Sequence, residues 1–370
     1  MSMFEINTVN NVLDVDTGRI TKKSPIVEVF SALSAGKKPN VSDKVKDTAV
    51  KTIGEIASKA NDGDLSAMSE INTIVRFAIE PKLLEAIKIF DFMGSYRQLG
   101  YNEHPMVKSY HYDQPGARFQ ASSGDVPFTT VGWTEYPIAT QTISSGFAID
   151  YRELQSGNFD GNVAEGMNQV KIDMQNKAVY YAIAKLYQSM KDAKNAGRVT
   201  HFAETAGVVQ SGVDDMLKVM RRYGKVSICG DYSVVSQFND FAGYKTFGEN
   251  TIPFGADSVA DEIRKTGLLS YYNGSNIVEL PNAINWTALN KDGSSYDMYM
   301  PQGLLFFIPK GNVMPFQIFL RGGMTSMTAS DIVTRQQLTR FDMEIGADLA
   351  KGNEHMIGLM SDTNFEVPSL

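Results

Sequence analysis

A single cysteine and four histidines are the side chains most able to do chemistry in this chain of 370 residues. Cys229 stands between a strand-like run and Gly230-Asp231, a place where a nucleophile can be presented. A thiol nucleophile needs a base to activate it, and no histidine lies near it in sequence. A small buried core residue is the plainer reading, since free cysteine is among the most buried residue types. His104 and His111 flank Pro105, while His201 and His355 stand alone. No ligand set with workable zinc spacing can be assembled from them. Gly243-Tyr-Lys-Thr246 is the nearest approach to a phosphate loop and has the wrong spacing; no Gly-x-Gly-x-x-Gly follows a strand. No Gly-x-Ser-x-Gly elbow occurs. The chain is expected to be no enzyme, with no catalytic, cofactor-binding or metal-binding residues and no cofactor.

Composition narrows the class of protein without naming a role. Hydrophobic residues make up 43% and charged residues 21%, the proportions of an ordinary globular protein. No apolar run is long enough to cross a membrane. The first residues lack the basic, apolar and small-residue pattern of a signal peptide, so synthesis in a cytoplasm is expected. One cysteine excludes an intrachain disulfide. The net charge is −7, whereas tight nucleic-acid binding needs a concentrated basic face. Lys218, Arg221, Arg222 and Lys225 are the densest basic group, and a solvated helix end is the simpler account of them.

The elements come in an unusual order. Residues 1–40 are polar and irregular, with Gly36-Lys-Lys-Pro-Asn40 as a loop. Ser42 is placed to cap a helix carrying Val45, Ala49, Ile53 and Ile56 on one side. A second helix carries Leu65, Met68, Ile71 and Val75 and ends before Pro81; Lys82–Met93 reads as a third. Prolines 105, 115, 127 and 137 then exclude helix. Val107–Tyr112, Arg118–Ala121 and Phe128–Trp133 are strand-compatible, with Ser122–Asp125 as a turn. This is a long hairpin with too little apolar content for a core of its own, so it must lie on something else.

The segment VGWTEYPIATQTISSGFAIDYRELQSG, residues 131–157, reads as two strands leading into a helix. A cap at Asn162 with Glu165 three residues on opens a helix of about 30 residues, about 45 Å at 1.5 Å per residue. Two shorter helices with a kink are the alternative. Val163, Met167, Val170, Met174, Ala178 and Tyr181 form one row, with Met167, Val170 and Met174 expected inside the subunit. Ile172, Val179, Ile183, Leu186 and Met190 form an adjoining row. Residues 205–320 alternate helix and strand: helices at Ser211–Tyr223, Asp231–Phe241 and Asp257–Lys265, strands at Val226–Cys229, Ile277–Leu280 and Leu304–Ile308. Ile332–Asp348 suggests one or two further strands.

In this order the chain resembles the major capsid proteins of tailed phages, the Hong Kong 97-type fold. The segments that carry the resemblance are Val131-Gly-Trp-Thr-Glu-Tyr136, Ser145-Gly-Phe-Ala-Ile149 with Tyr151-Arg-Glu-Leu154, Val278-Glu-Leu-Pro-Asn282 and Gly303-Leu-Leu-Phe306. It covers roughly residues 100–350. The resemblance implies an α+β fold with an N-terminal helical arm (1–99), an extended loop hairpin (100–146) and a peripheral domain on a spine helix (147–204). An axial domain (205–322) and return strands to the peripheral domain (323–370) follow.

The function so implied is self-assembly, as hexamers and pentamers, into the icosahedral shell of a double-stranded DNA phage. Implied partners are a scaffolding protein, a portal and a decoration protein, with packaged DNA touched only non-specifically and no membrane. The place is the virion, after synthesis in the host cytoplasm. Some relatives lose an N-terminal segment to a protease; with Met1 at the start of the chain, retention is expected here. Arg118, Phe119, Phe128, Trp133 and Tyr136 are the candidate subunit-interface residues. In some relatives a loop lysine bonds covalently to a neighbour's asparagine with help from a glutamate. Lys108, Asn353 and Glu354 are the corresponding types here, and no cross-link is expected. An encapsulin-like compartment shell and a cytosolic α+β enzyme or binding module are the alternatives.

Overall fold

The computed structural model describes residues 24–33, 38–71, 73–74, 93–113, 119, 124, 128, 130–150, 162–241, 244–247, 250–253, 263, 265–280, 282–289, 293–310, 314–331 and 336–368. The long helix is one element: α3, Asn162–Asn195, 34 residues, about 51 Å at 1.5 Å per residue. Two shorter helices are preceding it in the arm, α1 at Pro25–Leu33 and α2 at Asp43–Asn61. Ser42 does precede α2, but its side chain makes no capping hydrogen bond. Residues 65–71 are helical; Ile71 is buried and Met68 packs against the core as expected, but Leu65 does not. Ala67, Ile71 and Ile74 are buried while Leu65 is 80% exposed. The expected helices at 82–93 and 257–265 and the strand at 118–121 lie almost wholly outside the described residues.

Two sheets flank α3. The first contains β1 (Ser95–Leu99), β4 (Gln141–Asp150), β14 (Phe316–Asp331) and β15 (Gln336–Leu349), in the order β1-β14-β15-β4. β1 runs parallel to β14 and the other pairs are antiparallel. Its inner face, including Ile143, Ile318, Phe341, Met343 and Ile345, packs with Val170, Met174, Ala178 and Tyr181 of α3. The expected burial of Val170 and Met174 holds; the Met167 side chain lies outside the description.

The second sheet has the order β5-β16-β13-β6-β10-β9. These strands are β5 (His201–Thr205), β6 (Lys225–Gly230), β9 (Tyr271–Tyr272), β10 (Ser275–Glu279), β13 (Leu304–Lys310) and β16 (Gly358–Asp362). Alternate residues of β13 enter two different cores. Leu304, Phe306 and Ile308 join the α3 cluster. Leu305 and Phe307 join a second cluster with Val213, Leu217 and Met220 of α4 (Gln210–Met220) and Val234 and Val235 of α5 (Tyr232–Val235). A strand covered on both faces needs a continuous apolar run, and Leu304-Leu-Phe-Phe-Ile308 supplies it. Three two-stranded ribbons, β2–β3 (Met106–Asp113, Thr130–Pro137), β7–β8 (Tyr244–Phe247, Asn250–Pro253) and β11–β12 (Ile284–Leu289, Tyr296–Met298), complete the described strands.

The tail departs from expectation. It holds most of two long strands and a third, and they do not all return to the first sheet. β14 starts at Phe316, and β16 inserts between β5 and β13 in the second sheet. Of residues 323–370, the β14–β15 part joins the first sheet and β16 the second. Gly358 explains the seat of β16, because a Cβ there would lie 2.7 Å from Met216 Sδ and 3.0 Å from Phe307 Cβ.

Candidate assembly surface

β2 (Met106–Asp113) and β3 (Thr130–Pro137) form the hairpin, in register from Met106↔Pro137 to Asp113↔Thr130. Side chains alternate between its faces. Val107 and Ser109 point inward and are buried. Val107 packs with Phe319 and Ala350, and the Ser109 hydroxyl donates to the Lys351 carbonyl. The hairpin base thus lies on residues of its own subunit outside the hairpin, in keeping with the expectation that it must lie on something else. Hydrogen bonds fasten it further. The Lys108 N–H donates to Gln317 Oε1 at 3.2 Å and Gln317 Nε2 donates back to the Lys108 carbonyl at 2.8 Å. Asn353 repeats the pattern on Tyr110, at 3.2 and 3.4 Å.

Tyr136 ties the base to the spine. Its hydroxyl donates toward Asp348 Oδ2 (3.2 Å) and the Leu349 carbonyl (3.1 Å). Asp348 Oδ1 accepts from the Ser189 hydroxyl of α3 at 2.9 Å. The Lys351 ammonium sits 4.8 Å from the Tyr136 ring centre, a favourable cation–π distance. Burial, and after it the Asp348 carboxylate, pushes the Tyr136 hydroxyl well above the ordinary tyrosine value, so it stays a donor. A cleft lies alongside, between 136–139, 347–354 and the C-terminal half of α3. It carries both signs of charge, with Lys185, Lys351 and Arg198 against Asp192, Asp348 and Glu354.

The five interface candidates separate. Tyr136 is half-buried and engaged by its own subunit. Trp133 is 61% exposed, Phe128 84% and Phe119 fully exposed. Arg118 lies outside the described residues. Trp133 shares the outward face with Lys108 and Glu135. Lys108 pairs with Glu135 at 3.1 Å and lies 5.7 Å from the Trp133 ring centre. A second exposed apolar pair is found on the outer face of the first sheet, Met327 at 67% and Leu338 at 42%. Sequence reading missed it, because both residues sit in strands whose pairing was not foreseen.

The chemical candidates find ordinary places. Cys229 is buried in β6 and joins the α3 core; burial pushes its thiol far up, only partly offset by Lys310. His201 is held below its usual value by burial and then by His355. Lys218 pairs with Asp215 at 2.8 Å at the end of α4, while Arg221, Arg222 and Lys225 lie beyond the helix, so the four do not line one helix side. Among the described residues no cluster of His, Cys, Asp or Glu is arranged to hold a metal, and no helix is long and apolar enough to cross a membrane.

No curated protein matches the chain. Among solved structures it resembles a capsid of a native GTA particle, with TM-score 0.48 and 11% identity over 74% of this chain and 89% of that one. It also resembles the bacteriophage PhiM1 mature capsid, with TM-score 0.46 and 10% identity over 74% and 86%. A third is a virus-like particle from Pyrococcus furiosus, with TM-score 0.42 and 9% identity over 76% and 97%. All three TM-scores lie below one half, too low to carry a residue-level or functional correspondence. The sequence itself matches the family described as "SPbeta prophage-derived putative capsid protein YonB" over residues 7–361, nearly its whole length, and the chain belongs to that phage-derived capsid-protein family.

Proposed function

We propose that this chain is the major capsid protein of a tailed double-stranded DNA phage and builds an icosahedral shell from copies of itself. The observation that carries the reading is the hairpin: its base is fixed to its own subunit while Trp133, Phe128 and Phe119 are left in solvent. Large exposed aromatics mark interaction sites, and the family makes another copy of the chain their natural cover. In this reading residues 1–99 are the arm and 100–146 the extended loop, save that β1 and the start of β4 pair into the first sheet. The first sheet with α3 is the peripheral domain. The second sheet with α4 and α5 is the axial domain, which takes in β16. Closed symmetry repeats each modest contact around the shell. The acidic balance suits a container that must hold DNA without gripping it.

The test replaces residues 115–127 with a short Gly-Ser linker. Shortening a loop changes closure entropy slowly, by about 0.6 kcal/mol per twofold change in length. Far-ultraviolet circular dichroism and the melting temperature of unassembled subunits should stay near wild type, and closed shells should be absent by electron microscopy. Normal shells would show that the loop is no assembly contact. Loss of the subunit fold would show that it belongs to the core.

A further inference from the structure

The two amide clamps on β2 do more than fasten it. In the β2–β3 ladder the pair Pro105–Ile138 is joined by an N–H···O bond from Ile138 to Pro105 at 3.1 Å. Backbone polar groups alternate sides along a strand, so those of 105, 107, 109 and 111 face β3 and those of Lys108 and Tyr110 face away. The outward groups of these two residues are the ones gripped. Gln317 takes both groups of Lys108, and Asn353 takes both groups of Tyr110. A primary amide can donate from its nitrogen and accept at its oxygen at once, as a peptide group does. Each side chain therefore replaces one peptide of a missing neighbouring strand. Both are buried, at 5% and 2% exposure, where an unmatched polar group is costly. They come from two adjoining segments of the subunit: Gln317 from β14 in the middle of the first sheet, and Asn353 from the turn that follows β14's partner β15.

Two grips on alternate residues of one strand fix its direction as well as its position. The described end of β2, Asp113, lies five residues beyond Lys108, about 17 Å at about 3.4 Å per residue. A tilt of about 10° at the base would shift that end by about 3 Å, a full hydrogen-bond length. Resting on the capsid reading above, we propose that Gln317 and Asn353 are positioning residues. They set the angle at which the hairpin leaves the subunit, and through that angle they select the curvature and size of the shell.

The test uses Gln317→Glu and Asn353→Asp, alone and together, with Gln317→Met and Asn353→Ser as uncharged variants should an acid prevent folding. A carboxylate keeps the shape but cannot donate to the strand carbonyl, whereas a buried carboxyl that takes up a proton can, so Gln317→Met and Asn353→Ser decide wherever the acid variants behave as wild type. Hydrogen exchange of peptides covering 106–113 in unassembled subunits should accelerate about tenfold for each clamp lost, as expected for two modest hydrogen bonds. Exchange in α3 should stay unchanged. In electron micrographs the single particle diameter should give way to mixed diameters or open sheets. Unchanged exchange at 106–113 would overturn the clamp. Faster exchange with an unchanged, single diameter would overturn its control of shell size. If the unmodified protein forms no particles, the capsid reading itself fails, and the exchange measurement still decides whether the clamps hold the hairpin.

Discussion

Met174 offers a direct test of how α3 carries the subunit. It is fully buried, in the cluster shared by Val170, Ala178 and the inner face of the first sheet. Truncating such a side chain to alanine costs about 2–5 kcal/mol. Met174→Asp adds a carboxyl that must be neutral in this surrounding. Protonating it at pH 7, about 3 units above its ordinary value, costs about 4 kcal/mol. The sum, about 6–9 kcal/mol, is most of the roughly 5–15 kcal/mol that holds a typical domain folded. Met174→Asp subunits should be insoluble or unfolded, and Met174→Ala should lower the urea midpoint with its slope unchanged. Lys177→Asp, one turn along on the exposed side, loses only its contact with the Tyr180 ring and should stay within about 1 kcal/mol of wild type. A soluble Met174→Asp subunit with a near-normal midpoint would mean that this face of α3 is not the buried one.

Three further outcomes are expected. The His201 imidazole has a folded-state pKa below its ordinary 6.5, from burial and then from His355, so the unfolded chain binds more protons. Its contribution is present above about 6.5 and lost as pH falls toward the folded value. The melting temperature should drop on acidification below about pH 6.5, and His201→Gln should flatten that slope; an unaltered slope would remove His201 as the cause. Asn282 bridges Asp231 Oδ2 (2.8 Å) and both backbone groups of Met300 (3.0 Å each), and Asn282→Ala should cost about 2–3 kcal/mol in urea unfolding; a smaller loss would mean water replaces it. Boiled particles should run as single subunits on denaturing gels, since the Asn353 amide is held by Tyr110 and Lys108 is paired with Glu135; covalent ladders would contradict this.

The elements that showed in the sequence are mostly those with one buried face or none, together with β6 and β13, whose short continuous apolar runs read as buried strands. The α3 rows were legible because four- and three-residue spacing survives over many turns. The hairpin showed through its prolines and the strands of 131–150 through their Thr, Ile and aromatic content. β14 did not show, for a physical reason. Over 316–320 its inner face packs toward α3 and its outer face lies under the hairpin base, so Phe316, Ile318, Phe319 and Leu320 are all buried and the alternation disappears. Gly322-Gly323 then reads as a turn, whereas both glycines have positive φ and mark an irregularity within one long strand. β16 is five buried residues, too short to show a period. The candidate surface was half legible. Trp133, Phe119 and Phe128 could be named from type and setting, and they are exposed. The clamps could not, because Gln317 and Asn353 are recognisable only once two distant segments meet β2.

The seat of β16 between β5 and β13 has a consequence in time. β5 is made early, and its parallel partner, residues 358–362, leaves the ribosome only after some 150 more residues have been added, roughly 8–30 s later at about 5–20 residues per second. Until then β5 and β13 have no strand between them, and the sheet under α4 stands with a central gap. A nascent chain therefore cannot present a finished subunit to its neighbours while it is still being synthesised. A chain interrupted before residue 358 lacks the strand that joins β5 to β13, and so differs from the finished subunit inside a sheet and not only at its tail.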